Sequence, residues 1–138
     1  MARAKKTPPL PKITDAEWTV MKVFWDRGTC TLAEVVAELE CQLHWKPRTV
    51  QSLIRRLSEK GALEVEAVGR EFRYSPAIQQ DRCQFEESRT FLDRVFDGRL
   101  TPFVAGFMER EEVSRDELKA LREVLRQAEK KLTEESSS

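Results

Sequence analysis

The sequence has 138 residues, 40% hydrophobic and 35% charged, with 24 Lys/Arg balancing 24 Asp/Glu for a formal net charge of zero. That length suits one domain, or one small domain with an appendage. Its three widely spaced cysteines, Cys30, Cys41 and Cys83, with no CxxC, exclude a disulfide framework and a cysteine zinc site.

The zero net charge conceals an asymmetry. Residues 1–78 carry 13 Lys/Arg against 10 Asp/Glu, whereas residues 79–138 carry 11 against 14. Basic charge therefore gathers in the half that would meet a polyanion. The opening MARAKKTPPLPK is basic and lacks the apolar run of a signal peptide, and Pro8, Pro9 and Pro11 oppose helix. Residues 1–12 are expected to be a disordered basic tail. No stretch approaches the ~18 apolar residues of a membrane span, so no stable membrane association is expected, and reduced thiols in a cytoplasmic protein are.

Three helix starts are marked by capping boxes: Thr14–Glu17, Thr31–Glu34 and Ser114–Glu117, each a hydroxyl residue followed three positions later by Glu. The first helix is predicted over about Asp15–Asp26, with Trp18, Met21 and Trp25 on one face beside Val20 and Phe24, and Gly28 ending it. Trp18 and Trp25 read as core residues. The second spans about Leu32–Leu43, with Leu32, Val35, Val36 and Leu39 on its buried face. After a break at Gln42–Lys46, where Trp45 is expected to anchor the turn, Pro47 starts a third helix of about Pro47–Lys60. Lys46 before it is a poor cap.

On that third helix Val50, Leu53, Ile54 and Leu57 form one apolar stripe at i, i+3, i+4, i+7. The opposite face holds Arg48, Gln51, Ser52 and Arg55, with Thr49 beside them and Arg56 at the edge. Gly61 stops the helix. Leu63, Val65 and Ala67 then alternate with glutamates, and after Gly69-Arg70 so do Phe72 and Tyr74 with Glu71 and Arg73. Two short strands around a glycine turn make a hairpin. Three helices followed by a hairpin, over residues 13–78, is the order of a winged helix-turn-helix, giving a mainly α fold.

Beyond Pro76 the pattern is helical throughout. Phe85, Phe91, Leu92, Val95 and Phe96 stripe a helix of about 79–97 that ends at Gly98. Leu100, Phe103, Val104, Phe107 and Met108 mark a short helix with Pro102 in its first turn, and Leu118, Leu121 and Leu125 stripe a last one. Single-stripe helices of this length do not close a core by themselves, so residues 79–132 are expected to be a helical dimerisation domain. Residues 133–138 are expected to be a frayed tail.

A recognition helix needs long donors near its N-terminal end and a rear face that locks it to its domain. Arg48, Gln51, Ser52 and Arg55 meet that need: arginine grips guanine O6 and N7, and glutamine pairs with adenine. Lys46, Arg56, Lys60 and the wing residue Arg70 read as phosphate contacts, which set register and make binding salt-dependent. His44 is the single histidine and Cys41 is too poor a companion for a metal site, so no metal and no cofactor are expected. No phosphate-binding glycine loop, nucleophile elbow or catalytic carboxylate pair is present, which excludes an enzyme on motif grounds. Two other readings stay open: a winged-helix protein-interaction module, and a winged-helix regulator that senses a small molecule.

With these residues in hand, the chain resembles the penicillinase and methicillin-resistance repressors, the BlaI/MecI family, whose copper-responsive relatives form the CopY branch. The resemblance covers about Ile13–Lys131. It is carried by ITDAEWTVMKVFW, WKPRTVQSLIRRLSEKGAL, REFRYSP and LTPFVAGFMEREEVSRDELKALREVL. It implies a homodimer on double-stranded palindromic operator DNA, with residues of Pro47–Lys60 in the major groove and the helices after Gln79 interlocked with the partner. It also implies release from DNA when a membrane sensor metalloprotease pathway cuts the dimerisation domain. The family is cut at an Asn–Phe bond, and the matching bond here is Gly106–Phe107, so Gly106 departs from the pattern. The closely spaced C-terminal cysteines of the CopY branch have no counterpart after Cys83.

Overall fold

The capping box at Thr14 forms as its residues dictate. In the computed structural model, which describes residues 10–137, the Thr14 hydroxyl accepts from the Glu17 N–H at 3.2 Å and the Glu17 carboxylate accepts from the Thr14 N–H at 2.9 Å. This fixes the start of α1 (Asp15–Arg27). Thr31 and Glu34 repeat the arrangement, at 3.2 and 2.8 Å, to open α2 (Leu32–Leu43). Each such cap contributes about 1 kcal/mol. At Ser114 the hydroxyl accepts from the Glu117 N–H at 3.1 Å.

Between α2 and α3 (Pro47–Glu59) the chain turns through His44, whose φ of 57° is left-handed, and Trp45 packs half-buried against the core. Lys46 makes no side-chain cap, so Pro47 at the first helical position fixes the entry. The exit is a Schellman motif. Gly61, at φ 82°, donates to the Ser58 carbonyl at 3.1 Å, and Ala62 donates to that of Leu57 at 2.9 Å.

The next segments form β2 (Leu63–Val68) and β3 (Glu71–Pro76), an antiparallel pair with Val65 opposite Tyr74 and Ala67 opposite Phe72. Gly69 supplies the positive φ, 64°, that a two-residue hairpin turn requires at its first position. A further strand, β1 (Cys30–Thr31), pairs with the free edge of β3 and completes a sheet of order β1-β3-β2. The sequence reading lacks it, since two residues show no alternation.

Val20, Met21 and Phe24 of α1, Val35 and Leu39 of α2, and the whole α3 stripe meet in one core closed by Cys30, Ala62 and Leu63. Its α1 face is turned slightly from the expected one. Glu17, Val20, Met21 and Phe24 point inward, whereas Trp18 and Trp25 are half-buried and meet edge to face at 5.4 Å. The Trp25 indole N–H donates to the Ile78 carbonyl at 3.0 Å, securing the chain that leaves the sheet. The architecture is a winged helix-turn-helix followed by helices.

Those helices are α4 (Gln80–Phe96), α5 (Leu100–Arg110) and α6 (Arg115–Ser137). The chain divides into two compact units inside α4, between Glu87 and Ser88, and not at its start. In the second unit Phe103 gathers Phe91, Phe96 and Phe107 around it, with ring centroids 5.8, 5.4 and 6.0 Å away. Even so, no side chain from Ser88 to Ser136 is fully buried.

At the two termini the outcome differs. Residues 1–9 of the expected basic tail lie outside the described residues, while Leu10 and Pro11 are irregular but half-buried. At the other end α6 continues through Ser137, replacing the frayed tail from 133. Lys130, Lys131, Leu132, Glu134 and Glu135 are strong helix formers, and the Thr133 hydroxyl bonds back to the Glu129 carbonyl at 3.1 Å. Among the described residues no helix is long and apolar enough to cross a membrane.

Candidate nucleic-acid interface

The apolar stripe of α3 is buried to within 3% and holds the helix against α1 and α2, which leaves its other face for a partner. Truncating Leu53 or Leu57 to alanine is expected to cost about 2–5 kcal/mol, much of what so small a domain possesses. Lys46, Arg48, Thr49, Gln51 and Arg55 are exposed and Ser52 is half-buried. Lys46, Arg48 and Arg55 make no ion pair among the described residues, and no acidic residue occupies the first turn. The positive end of the helix dipole and the free cations Lys46 and Arg48 add at the N-terminal end of α3, a setting that attracts anions, while Arg55 stands about two turns further along. Glu59, the one carboxylate on that face, sits at the far end.

Lys60 is tied down within the domain, and Arg56, though exposed, reaches towards the same carboxylate. The Lys60 ammonium donates to the Glu17 carboxylate and to the Lys12 carbonyl, the latter at 2.7 Å. Arg56 Nε lies 3.7 Å from the other Glu17 oxygen, which has no hydrogen-bond partner among the described residues. Glu17 itself is fully buried. One carboxylate therefore caps α1 and ties the C-terminal end of α3 to it. The capping box signalled Glu17 as a cap, but nothing local links it to a lysine 43 residues away.

Burial alone would raise the Glu17 pKa. The hydrogen bonds from Lys60 and Thr14, with the Lys60 charge, outweigh burial and hold the carboxyl below the usual 4.5. Its stabilising contribution is thus complete above the unfolded glutamate value and is lost as pH falls through the lower folded value. Glu17→Gln is expected to cost about 1–3 kcal/mol at neutral pH, because it leaves Lys60 without its counter-charge. Urea titrations of both proteins from neutral to acid pH would check this: the gap should narrow below about pH 4.5. An equal gap at every pH would contradict it.

At the tip of the wing Arg70 is exposed and unpaired among the described residues, whereas Arg73 sits 3.6 Å from Glu71. Gln51, Arg55 and Ser58 of α3 face Val65, Phe72 and Tyr74 of the wing across a groove floored by Ile54 and Leu32. The alternation in the sequence puts Phe72 on the same face as Tyr74 but gives no sign that it is exposed. His44 and Cys41 are exposed, and no cluster of three potential metal ligands exists among the described residues. Cys30 and Cys83 are buried, and burial pushes both thiols up, away from the reactive thiolate.

The penicillinase repressor family matches residues 13–127, which takes in the helix-turn-helix, the wing and most of the helical region. The chain belongs to that family. A penicillinase repressor of Bacillus licheniformis is 37% identical over 116 residues, covering 84% of this chain and 91% of its own. The methicillin resistance regulatory protein MecI of Staphylococcus aureus (strain N315) is 30% identical over 114 residues, covering 83% and 93%. Among solved structures, the DNA-binding domain of the repressor BlaI is 40% identical over 54% of this chain and 90% of its own, with a TM-score of 0.49. The family is one of DNA-binding transcriptional repressors, and its members are not enzymes.

Proposed function

We propose that this family member is a cytoplasmic homodimeric repressor, each winged helix taking one half of a palindromic operator. The observation that carries this reading is the α3 stripe Arg48–Gln51–Arg55, exposed and unpaired on a helix whose other face is locked in the core. Arg48 and Arg55 are fork donors for guanine and Gln51 a pair donor-acceptor for adenine, while Lys46 and Arg70 neutralise phosphates on either side. The unburied apolar side chains of the second unit support the dimer. Val95, Leu100, Phe107 and Leu125 are 49–63% exposed, and in a monomer they would lie open to water. Of the other expected interface residues, Phe85, Phe91, Val104 and Leu118 are exposed, and Leu92, Phe96, Phe103, Met108 and Leu121 are half-buried in the unit's own packing.

Release follows from proteolysis at or near Gly106–Phe107 in a membrane sensor-protease pathway. That bond lies inside α5, so cutting it requires local unwinding, which glycine eases by about 1 kcal/mol relative to alanine. Intact-mass measurement of the repressor from induced cells tests this step: a fragment ending at Gly106 supports it, and an uncut chain in cells whose operator is already free contradicts it.

Salt titration of binding to the DNA upstream of its own gene tests the contact assignment. Arg70→Ala is expected to lower the slope of log K against log salt by about 0.9, the value of one phosphate contact. Lys60→Ala, whose ammonium is committed to Glu17, is expected to leave the slope unchanged. The reverse pattern would remove the wing tip from the interface.

A further inference from the structure

Phe72 is 61% exposed and Val65 52% exposed, a costly arrangement for apolar side chains that nothing covers. The strand register places them on one face of the hairpin, with Ala67 and Tyr74. Across the groove from them stand Gln51 and Arg55, the second an unpaired cation among the described residues. The opposite face of the hairpin carries Glu64, Glu66 and Glu71, together with Val68 and with Arg73, which pairs with Glu71. The wing thus turns its carboxylates away from the groove and its apolar face into it.

An occupant of such a groove must be part of a polyanion that presents base edges to Gln51 and Arg55, yet apolar between its charges, to cover Phe72 and Val65. One strand of DNA has that alternation, since each phosphate is followed by a deoxyribose with hydrocarbon edges. We propose that the groove between α3 and the wing seats a sugar–phosphate strand of the operator, with Phe72 and Val65 packed on deoxyribose beside Arg55. This rests on the DNA-binding reading above and adds to it a contact that is neither a charge pair nor a base contact. Apolar burial releases no counterions and reads no base edge, so the contact adds affinity independent of salt and of sequence.

The test is binding of Phe72→Ala, Phe72→Leu and Val65→Ser proteins to two duplexes, the DNA upstream of the gene and a mixed-sequence DNA, across a salt series. Phe72→Ala is expected to weaken both about tenfold, the scale of burying roughly half a phenylalanine side chain, with an unchanged salt slope. Phe72→Leu should restore most of the loss, and Val65→Ser should lose about threefold by the same scale. Long-chain inorganic polyphosphate, which has the charges without the sugars, should bind wild type and Phe72→Ala alike. Unchanged DNA affinity, an equal loss on polyphosphate, or a loss that disappears when thymine is replaced by deoxyuracil would overturn the proposal. Should Phe72→Ala fail to melt cooperatively, the leucine and Val65→Ser proteins carry the test. An Arg48→Ala/Arg55→Ala protein run alongside separates the two levels. If it binds as wild type, the DNA-binding reading itself fails; if it loses binding while Phe72→Ala does not, only the groove contact fails.

Discussion

Replacing Arg48 and Arg55 together by alanine is expected to weaken operator binding about a thousandfold and to leave the fold unchanged. Each bidentate arginine–guanine contact discriminates by about 1–3 kcal/mol, so two give roughly 4 kcal/mol, which is a factor near a thousand. The fold should be indifferent because both side chains are exposed and make no ion pair among the described residues. Surface substitutions of that kind fall within about 0.5 kcal/mol. Arg48→Lys sharpens the argument. It keeps the charge and loses the planar fork, so non-specific binding should persist while preference for operator over mixed-sequence DNA falls. Anisotropy titrations on both duplexes, with thermal melts of each protein, check the result. An equal loss on both duplexes would mean that these arginines hold phosphates and read no bases.

Phe107→Asp is expected to make the protein monomeric and to lower operator affinity by about 10²–10⁴, the gain that linking two weak sites confers. Phe107 is 51% exposed at the edge of the Phe103 cluster, so a carboxylate there meets water in the monomer. In a dimer it would be desolvated without a partner, at a cost of several kcal/mol. Phe103→Ala and Leu121→Ala act more broadly. Both residues are half-buried within their own chain, and they should loosen the second unit as well as the association. The winged helix has its own core, Val20 to Leu63, and its unfolding should be unaffected in all three. Sedimentation and a parallel titration on operator DNA decide the matter. A monomeric Phe107→Asp protein with wild-type affinity would sever dimerisation from repression.

Where a residue's role is set by its near neighbours along the chain, the sequence displayed it. The boxes at Thr14 and Thr31, the start at Pro47, the stop at Gly61 and the turn at Gly69 are local events, and each forms where its residues stand. The α3 stripe was legible because a helix buried on one side repeats its apolar residues with the helical period. What depended on distant partners was hidden. Lys60 looked like a spare cation because Glu17, its counter-charge, belongs to another helix. Strand β1 exists only because the edge of β3 lies beside it. The exposure of Phe72 could not be read from alternation, which tells the face a strand residue takes but not whether anything covers that face near the tip.

The central claim is that α3 reads one half of a symmetric site while a second copy reads the other. Hydroxyl-radical footprinting of the wild-type protein on the DNA upstream of its own gene tests it most directly. Two protected tracts related by two-fold symmetry, with centres a whole number of helical turns of about 10.5 base pairs apart, are expected at the lowest protein concentration that gives any protection. A single tract that fills before any second one, or no bounded protection at all, would contradict a dimer reading a palindrome.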